Sequence, residues 1–308
     1  MRKLFYGVDE DNKTLLQVFR EHNEQSRKLI GKDFVSKTVQ RYETTTRYLE
    51  EFIKKEYQLS DIALNNLEAN FISKFDAFLK IEKGCAQNSA ITRLKNLKKI
   101  IRIALENDWI KKDPFAYYRF KLEETDPKFL TMDEIKIILA KEFTIKRVEQ
   151  VRDVFIFCVF TGLAFSDVKD LSPEHLVKDN KGELWIRKNR QKTKIMCNIP
   201  VLPVATSILE KYKNVAECTG KLLPVLSNQR MNSYLKEIAD VCGLQKNLCT
   251  HSARHSYATS ICLANGVSME NVAKMLGHAD TSVTKHYARV LDQNIFKDMQ
   301  KVNSCLSE

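Results

Sequence analysis

Apolar residues recur at intervals of three and four through most of this chain, the period of helices that bury one face. Leu15, Val18 and Phe19 open a first stripe, and Val39, Tyr42, Leu49, Phe52 and Ile53 form a second. Phe71, Phe75, Phe78 and Leu79 mark a third; Ile91, Leu94, Leu97, Ile101 and Ala104 mark a fourth, after Gly84 and Asn88 break the pattern. Together they predict a helical bundle over residues 12–106. Residues 107–128, with Asp113-Pro114 and Asp126-Pro127 amid mixed charges, read as a connection.

A second domain, 129–300, is expected beyond it. Thr131 followed three positions later by Glu134 is a capping-box signal for a helix bearing Ile135, Ile138 and Leu139. An apolar helix from Val151 to Phe160 ends at Thr161-Gly162, and a short helix follows around Asp167 to Leu171. Only Glu183 to Ile199 has strand character, which predicts a β-hairpin or small sheet. Helical spacing resumes after Val204. Leu291, Ile295, Phe296, Met299 and Val302 give an amphipathic closing helix, ahead of a tail at 301–308. The expected fold is mainly α with a minor β element.

Fifty Lys and Arg against thirty-nine Asp and Glu leave a formal charge of +11. With no long apolar segment to suit a membrane, that surplus favours a polyanionic partner, nucleic acid above all. Two helices place it on one side: Lys95, Lys99 and Arg102 on the fourth, and Lys37, Arg41 and Thr45 on the second. Each line is either a solvated exterior or a track for DNA phosphates. The eight cysteines include no C-x-x-C pair, and no secretory signal opens the chain, so they read as reduced thiols of a cytoplasmic protein. Cys158, inside the apolar run, is expected to fill core space.

The candidate chemistry lies in the last fifty-eight residues: His251-Ser252-Ala253-Arg254, then Leu276-Gly277-His278, then Tyr287. A phosphodiester repels nucleophiles, so an enzyme without a metal must surround it with cations and hydrogen-bond donors aimed at the developing charge. Arg254, His251 and His278 are such donors, and Tyr287 is an oxygen nucleophile able to store the broken bond as a protein ester. The planar fork of Arg254 suits two non-bridging oxygens at once. His251 shares a helical face with it, to hold the same phosphate or take the tyrosine's proton; which histidine is the base stays open. His278 is expected to donate to a phosphate oxygen. Tyr257 is the competing tyrosine, but its apolar neighbours point to core packing. His251 and His255 also stand at a zinc-binding spacing, yet Ser252 replaces the glutamate of H-E-x-x-H and Arg254 would repel a metal. No metal or other cofactor is expected.

The pattern H-x-x-R, L-G-H, eight residues and Y resembles the tyrosine recombinases, also called phage integrases, and the likeness runs from about Leu15 to Val302. The phrases Phe160-Thr161-Gly162-Leu163 and Asn189-Arg190-Gln191-Lys192-Thr193 look like the branch found in Bacteroides-type mobile elements. The resemblance implies a helical core-binding domain that grips the duplex opposite a catalytic domain. It implies a site-specific recombinase working through a 3′-phosphotyrosyl link and a Holliday junction, as a homotetramer on two double-stranded DNA sites, sometimes beside a DNA-bending accessory protein. The closing helix would pack onto a neighbouring subunit or onto its own domain. A lysine of the hairpin would protonate the leaving 5′ oxygen; Lys192 matches, with Lys194 the alternative. Fourteen residues before the first helix are too few for the arm-binding module of many such integrases, so the enzyme either acts without arm sites or is a fragment.

One position departs from the family. An arginine usually follows Thr-Gly-Leu, but Ala164 follows Leu163 here. Loss of one preorganised donor costs about 2.7–4 kcal/mol, or roughly 100–1,000-fold in rate, so a replacement cation is expected. Arg190 leads, since residues two apart on a strand point the same way and Lys192 lies two beyond it. Arg152 is second, although a salt bridge at a surface or between domains suits it better. Asp167 matches an acidic position that orients the cluster. A related DNA-relaxing enzyme and a catalytically weakened DNA-binding regulator are the alternatives.

Overall fold

The computed structural model describes residues 13–124, 128–280, 284, 299, 300 and 302. Tyr287 and the stripe residues Leu291, Ile295 and Phe296 lie outside the described residues; Met299 and Val302 are exposed. The chain divides into two compact units, residues 1–125 and 126–308.

The first unit is built from α1 (Leu15–Lys28), α2 (Ser36–Tyr57), α3 (Ala69–Ile81) and α4 (Gln87–Glu106). Phe19, Leu49, Phe52, Phe75, Leu94 and Leu97 fill its core, so the stripes face inward as their period requires. Phe52 is the hub, touching the rings of Tyr57, Phe71, Phe75 and Phe78.

The stretch after α4 is more than a connection. Ile110 and Phe115 are buried in the first core, and Lys98 lies over the rings of Phe115 and Phe120. The Asp-Pro pairs and mixed charges hid these anchors, because the apolar residues among them, Trp109, Ile110, Phe115, Tyr118 and Phe120, follow no helical or strand period.

In the second unit, α5 (Met132–Ala140) and α6 (Lys146–Thr161) precede the short α7 (Phe165–Lys169). The Thr131–Glu134 capping box is present, both bonds formed. Helix α6 is buried on nearly every side from Val148 onward, which explains its continuous apolar run. Cys158 is among its buried residues, and burial pushes its thiol up to about 12. Strands β1 (Leu176–Lys178), β2 (Leu184–Asn189) and β3 (Met196–Pro200) form an antiparallel sheet in sequence order. The pairs Leu176↔Ile186 and Ile186↔Ile199 set its register. Strand β1, three residues long, gave no alternation to detect. Helices α8 (Pro203–Lys211), α9 (Lys213–Thr219), α10 (Asn228–Val241), α11 (Thr250–Ser256) and α12 (Met269–Leu276) follow the sheet. Helix α11 runs on into a π-helical turn, Tyr257–Cys262.

Gly162 ends α6 at φ 69°, and a Cβ there would overlap the ring of Tyr257 and come within 2.9 Å of Leu276 Cδ2. Gly182 has φ 81° but open space around it. Replacing Gly182 by Ala should therefore cost about 1 kcal/mol of backbone strain, and Gly162→Ala at least about 2 kcal/mol more, because the clash adds to the strain. Urea denaturation of the two variants checks the difference.

Candidate active site

The site is organised by Arg254, the largest side chain that is almost wholly buried, at 2% exposure. Helix α11 starts where the Thr250 N–H donates to Asn232 Oδ1 at 2.8 Å, and it turns Ser252, Ala253 and Arg254 inward. One guanidinium nitrogen donates to the Gly162 carbonyl at 2.7 Å, and the other to the Leu276 carbonyl and to His278 Nε2, the latter at 3.1 Å. Those carbonyls close α6 and α12, two helix C-termini whose unsatisfied oxygens and dipole ends are negative. They offset the cost of burying the charge. The sequence reading gave Arg254 a phosphate; its hold on two backbone carbonyls was not legible there.

His278 follows Gly277, which ends α12 at φ 61°. Arginine can only donate, so Nε2 accepts, and the proton sits on Nδ1, which donates to Thr284 Oγ1 at 3.0 Å. Burial, then the charges of Arg254 and Arg190, press its pKa down to about 4. In this tautomer Nε2 is an acceptor, whereas the sequence reading made His278 a donor to phosphate; donation from Nε2 requires a proton to be taken up there. His251 is exposed as a residue, but its ring is partly desolvated, and this together with Arg254, Arg190 and Lys192 lowers its pKa. Its ring meets that of His255 edge-on, centroids 4.4 Å apart. His255 is pressed to about 4 by burial, then by His251 and Arg254. Tyr257 is a core residue, 3% exposed, its hydroxyl on Met275 Sδ at 3.0 Å.

Arg190 and Lys192 reach the same place from the turn between β2 and β3. Strand β2 stops at Asn189, so the strand alternation used to align them does not apply. The turn closes through Arg190 N–H to the Ile195 carbonyl, 2.9 Å, and Lys194 N–H to the Arg190 carbonyl, 2.8 Å. Three contacts then fasten it. Asp167, 1% exposed, accepts the Gln191 N–H at 2.8 Å; Thr193 Oγ1 donates to the Gly277 carbonyl at 2.9 Å; Arg190 Nη1 reaches that oxygen at 3.4 Å. A Cβ on Gly277 would lie 2.6 Å from Cys197 Sγ and 3.4 Å from the Arg190 stem, so only glycine lets the turn sit this close. Arg190 Nε is buried and has no hydrogen-bond partner among the described residues. Lys192 and Lys194 are exposed, and the charge of Lys192 bears on both His251 and His278.

Other candidates stand apart. Ala164 is the N-cap of α7 and offers no donor side chain. Arg152 is committed elsewhere: Nε pairs with Asp153 at 2.6 Å, and Nη1 donates to the carbonyls of Leu139 and Lys141, both at 3.1 Å, closing the end of α5. That removes it as the replacement cation and makes it an intradomain brace. In the first unit, Lys37, Arg41, Lys95 and Arg102 are exposed, Arg102 pairing with Glu106 at 3.0 Å. Lys99 departs from the solvated line, its ammonium 5.0 Å above the Tyr42 ring and 3.2 Å from the Tyr42 hydroxyl. Thr45 is fully buried, bonded to the Arg41 carbonyl and to Asn96, because helical drift carries it inward. Among the described residues no group of three or more His, Cys, Asp or Glu stands together as a metal site, and no helix is long and apolar enough to cross a membrane.

His251, His255 and His278 all have pKa values below the ordinary 6.5. A depressed histidine keeps its contribution to stability above pH 6.5 and loses it as pH falls toward 4, because the unfolded chain binds protons first. The urea midpoint should fall between pH 6.5 and 4, and His278→Gln should flatten that slope.

Residues 14–122 match the phage integrase SAM-like domain, and residues 128–294, more than half of the chain, match the phage integrase family. The chain is 26% identical over 291 residues to tyrosine recombinase XerD of Listeria monocytogenes serotype 4b, covering 89% of this chain and 94% of that protein. It is 24% identical over 298 residues to tyrosine recombinase XerC of Leptospira interrogans, covering 91% and 93%. Among solved structures, a lambda integrase dimer bound to a COC′ core site matches with a TM-score of 0.71 at 19% identity, covering 89% of this chain and 95% of that one. The Tn1549 transposon integrase in complex with a circular intermediate DNA matches with a TM-score of 0.71 at 16% identity, covering 94% and 99%. These likenesses fix the fold, and the family match, joined to the convergence of Arg254, His251, His278, Arg190 and Lys192, makes this chain a member of the phage integrase family, a tyrosine-type site-specific recombinase acting on DNA.

Proposed function

We propose that the chain cuts and rejoins double-stranded DNA of a mobile element with Tyr287 as nucleophile. The Tyr287 phenol oxygen attacks a scissile phosphorus and the bond to the 5′ oxygen breaks. A 3′-phosphotyrosyl ester and a free 5′-hydroxyl result. His251, kept neutral by desolvation of its ring and then by its cationic surroundings, takes the phenolic proton, and exposed Lys192 gives one to the leaving oxygen. Arg254 and Arg190 hold the non-bridging oxygens, with His278 beside them. A 5′-hydroxyl from a second duplex then attacks the ester and releases the tyrosine, so no cofactor or outside energy source enters.

The observation that carries this reading is the convergence of Arg190 on the carbonyl of Gly277, next to His278, with its Nε buried and unsatisfied. An anion at that point would complete the guanidinium's bonding, which suits Arg190 to the role left empty by Ala164.

Four copies on two DNA sites are the proposed assembly, in the cytoplasm, with a DNA-bending partner as an accessory. Lambda integrase has been captured as a tetramer on a Holliday junction, which supports that number. Lys37, Arg41, Lys95, Lys99 and Arg102 would follow the phosphates from the helical unit. The phrases around Thr161 and Lys192 support the Bacteroides-type mobile-element branch. The Ala164 substitution favours one second reading, a DNA-binding regulator that does not cut.

Incubating the full chain with a pool of nicked duplexes of randomised sequence, and isolating protein that carries DNA through denaturing electrophoresis, tests this. Wild type should yield adducts of a recurrent sequence and Tyr287→Phe none; binding of that sequence without any adduct would establish the regulator instead. On the recovered duplex, Arg190→Ala should slow adduct formation by roughly 100–1,000-fold, the usual cost of one preorganised donor, with little change in binding. An unchanged rate would remove Arg190 from the site.

A further inference from the structure

We propose that Ser256 and Ser260 form a clip that fastens the segment entering the second unit to the helix of His251 and Arg254, and that this clip positions both side chains for strand cleavage. The inference rests on the reading of the chain as a strand-cleaving enzyme.

The contacts are paired on one residue. Leu130 is fully buried; its N–H donates to Ser256 Oγ at 2.8 Å, and its carbonyl accepts from Ser260 Oγ at 2.5 Å. The groups on either side are also held by side chains. The Phe129 carbonyl accepts from Lys246 Nζ at 3.0 Å, and the Thr131 N–H donates to Glu134 Oε2 at 2.7 Å. Lys246 and Glu134 pair at 2.6 Å, closing the frame. Four backbone groups of residues 129–131 are therefore met by side chains rather than by a neighbouring strand.

Geometry makes this more than satisfaction of a buried backbone. Ser256 stands two positions beyond Arg254, a rotation of about 200° on a helix, so they lie on nearly opposite sides of it. Arg254 is held by the ends of α6 and α12, and Ser256 by Leu130, which pins the helix from both flanks. The Ser256 hydroxyl donates to the Ser252 carbonyl at 2.8 Å while accepting from the Leu130 N–H, so the one hydroxyl ties the helix's own backbone to the entering segment. Ser260 lies in the π-helical turn, a local departure from α geometry of the kind that recurs at functional sites. Helix α11 has only seven residues, too short to absorb a displacement before it reaches Arg254 and His251. A pull on the chain ahead of Phe129 is thus delivered to the phosphate-binding residues.

The test uses the full chain and the duplex recovered from the randomised pool. Single-turnover adduct formation and equilibrium binding are measured for Ser256→Ala, Ser260→Ala and the double variant, each with and without a flexible glycine–serine insertion between Thr125 and Asp126. Each alanine variant should form adduct roughly tenfold to a hundredfold more slowly, as small misplacements of reacting groups do, with binding within about threefold of wild type. The insertion should slow wild type but leave the double variant unaltered, because the link it loosens is already open; multiplying effects would overturn the coupling. Wild-type rates in the double variant would also overturn it, as would a loss no greater than that of the core variant Leu223→Ala at equal melting temperature. Should an alanine variant fail to fold, Ser260→Thr keeps the hydroxyl and should cleave near the wild-type rate; a rate as slow as expected for alanine would sink the clip. Absence of any wild-type adduct would instead overturn the cleavage reading itself, a separate outcome.

Discussion

Burying the charge of Arg254 is the constraint on which the second unit depends. A guanidinium at 2% exposure is tolerated only where fixed negative partners surround it, and the chain supplies them as the last carbonyls of two helices. This dictates much else. Helix α6 must end at Thr161 and α12 at Leu276, each capped by a glycine in the left-handed region, Gly162 and Gly277, so that the carbonyls of Gly162 and Leu276 turn toward one point. Tyr257 fills the space beside Gly162, which explains why a buried tyrosine unconnected with chemistry stands so near the site.

The same junction carries the second cation. The carbonyl of Gly277 receives Thr193 and Arg190, while Asp167 holds the turn by the Gln191 N–H. Three bonds on an exposed turn restrict Arg190 and the turn that carries Lys192 without burying Lys192, as its proposed role requires. Positive charge is then concentrated around histidines that burial and those same charges keep neutral. A neutral imidazole beside a guanidinium can accept a proton, and a phosphate brought to the site would reverse the balance by stabilising the imidazolium.

Under the proposed function, Arg190 takes the place that Ala164 leaves without a charge. Ala164, the N-cap of α7, offers only a methyl group, while Arg190, whose Nε lacks a hydrogen-bond partner among the described residues, stands on the hairpin turn. Electrostatic stabilisation depends on where a charge sits and how firmly it is held, not on the element it comes from. Arg152, closer in sequence to Ala164, is excluded by its bonds to the end of α5.

The helical stripes, the α5 capping box, the glycine end of α6 and the strand pair β2–β3 were all legible in the sequence, because each is written in a local period or a cap. The nearness of His251, Arg254 and His278 was legible as well, since residue type and distance along the chain suggest it; Tyr287 lies outside the described residues. The core anchors Ile110 and Phe115, the inward turn of Thr45 and the folding of Lys99 over Tyr42 were not, for each depends on a partner far away in sequence. Arg190 was named from strand alternation that its turn does not possess, and it reaches Gly277 by a different path. What the amino-acid order determined by itself is therefore the class of chemistry and the elements that bear it, through patterns repeated over a few residues. Which carbonyls hold Arg254, where the side chain of Arg190 lands and what fastens the helix of Arg254 were decided only by the tertiary structure, because hydrogen bonds between residues a hundred positions apart leave no periodic trace along the chain.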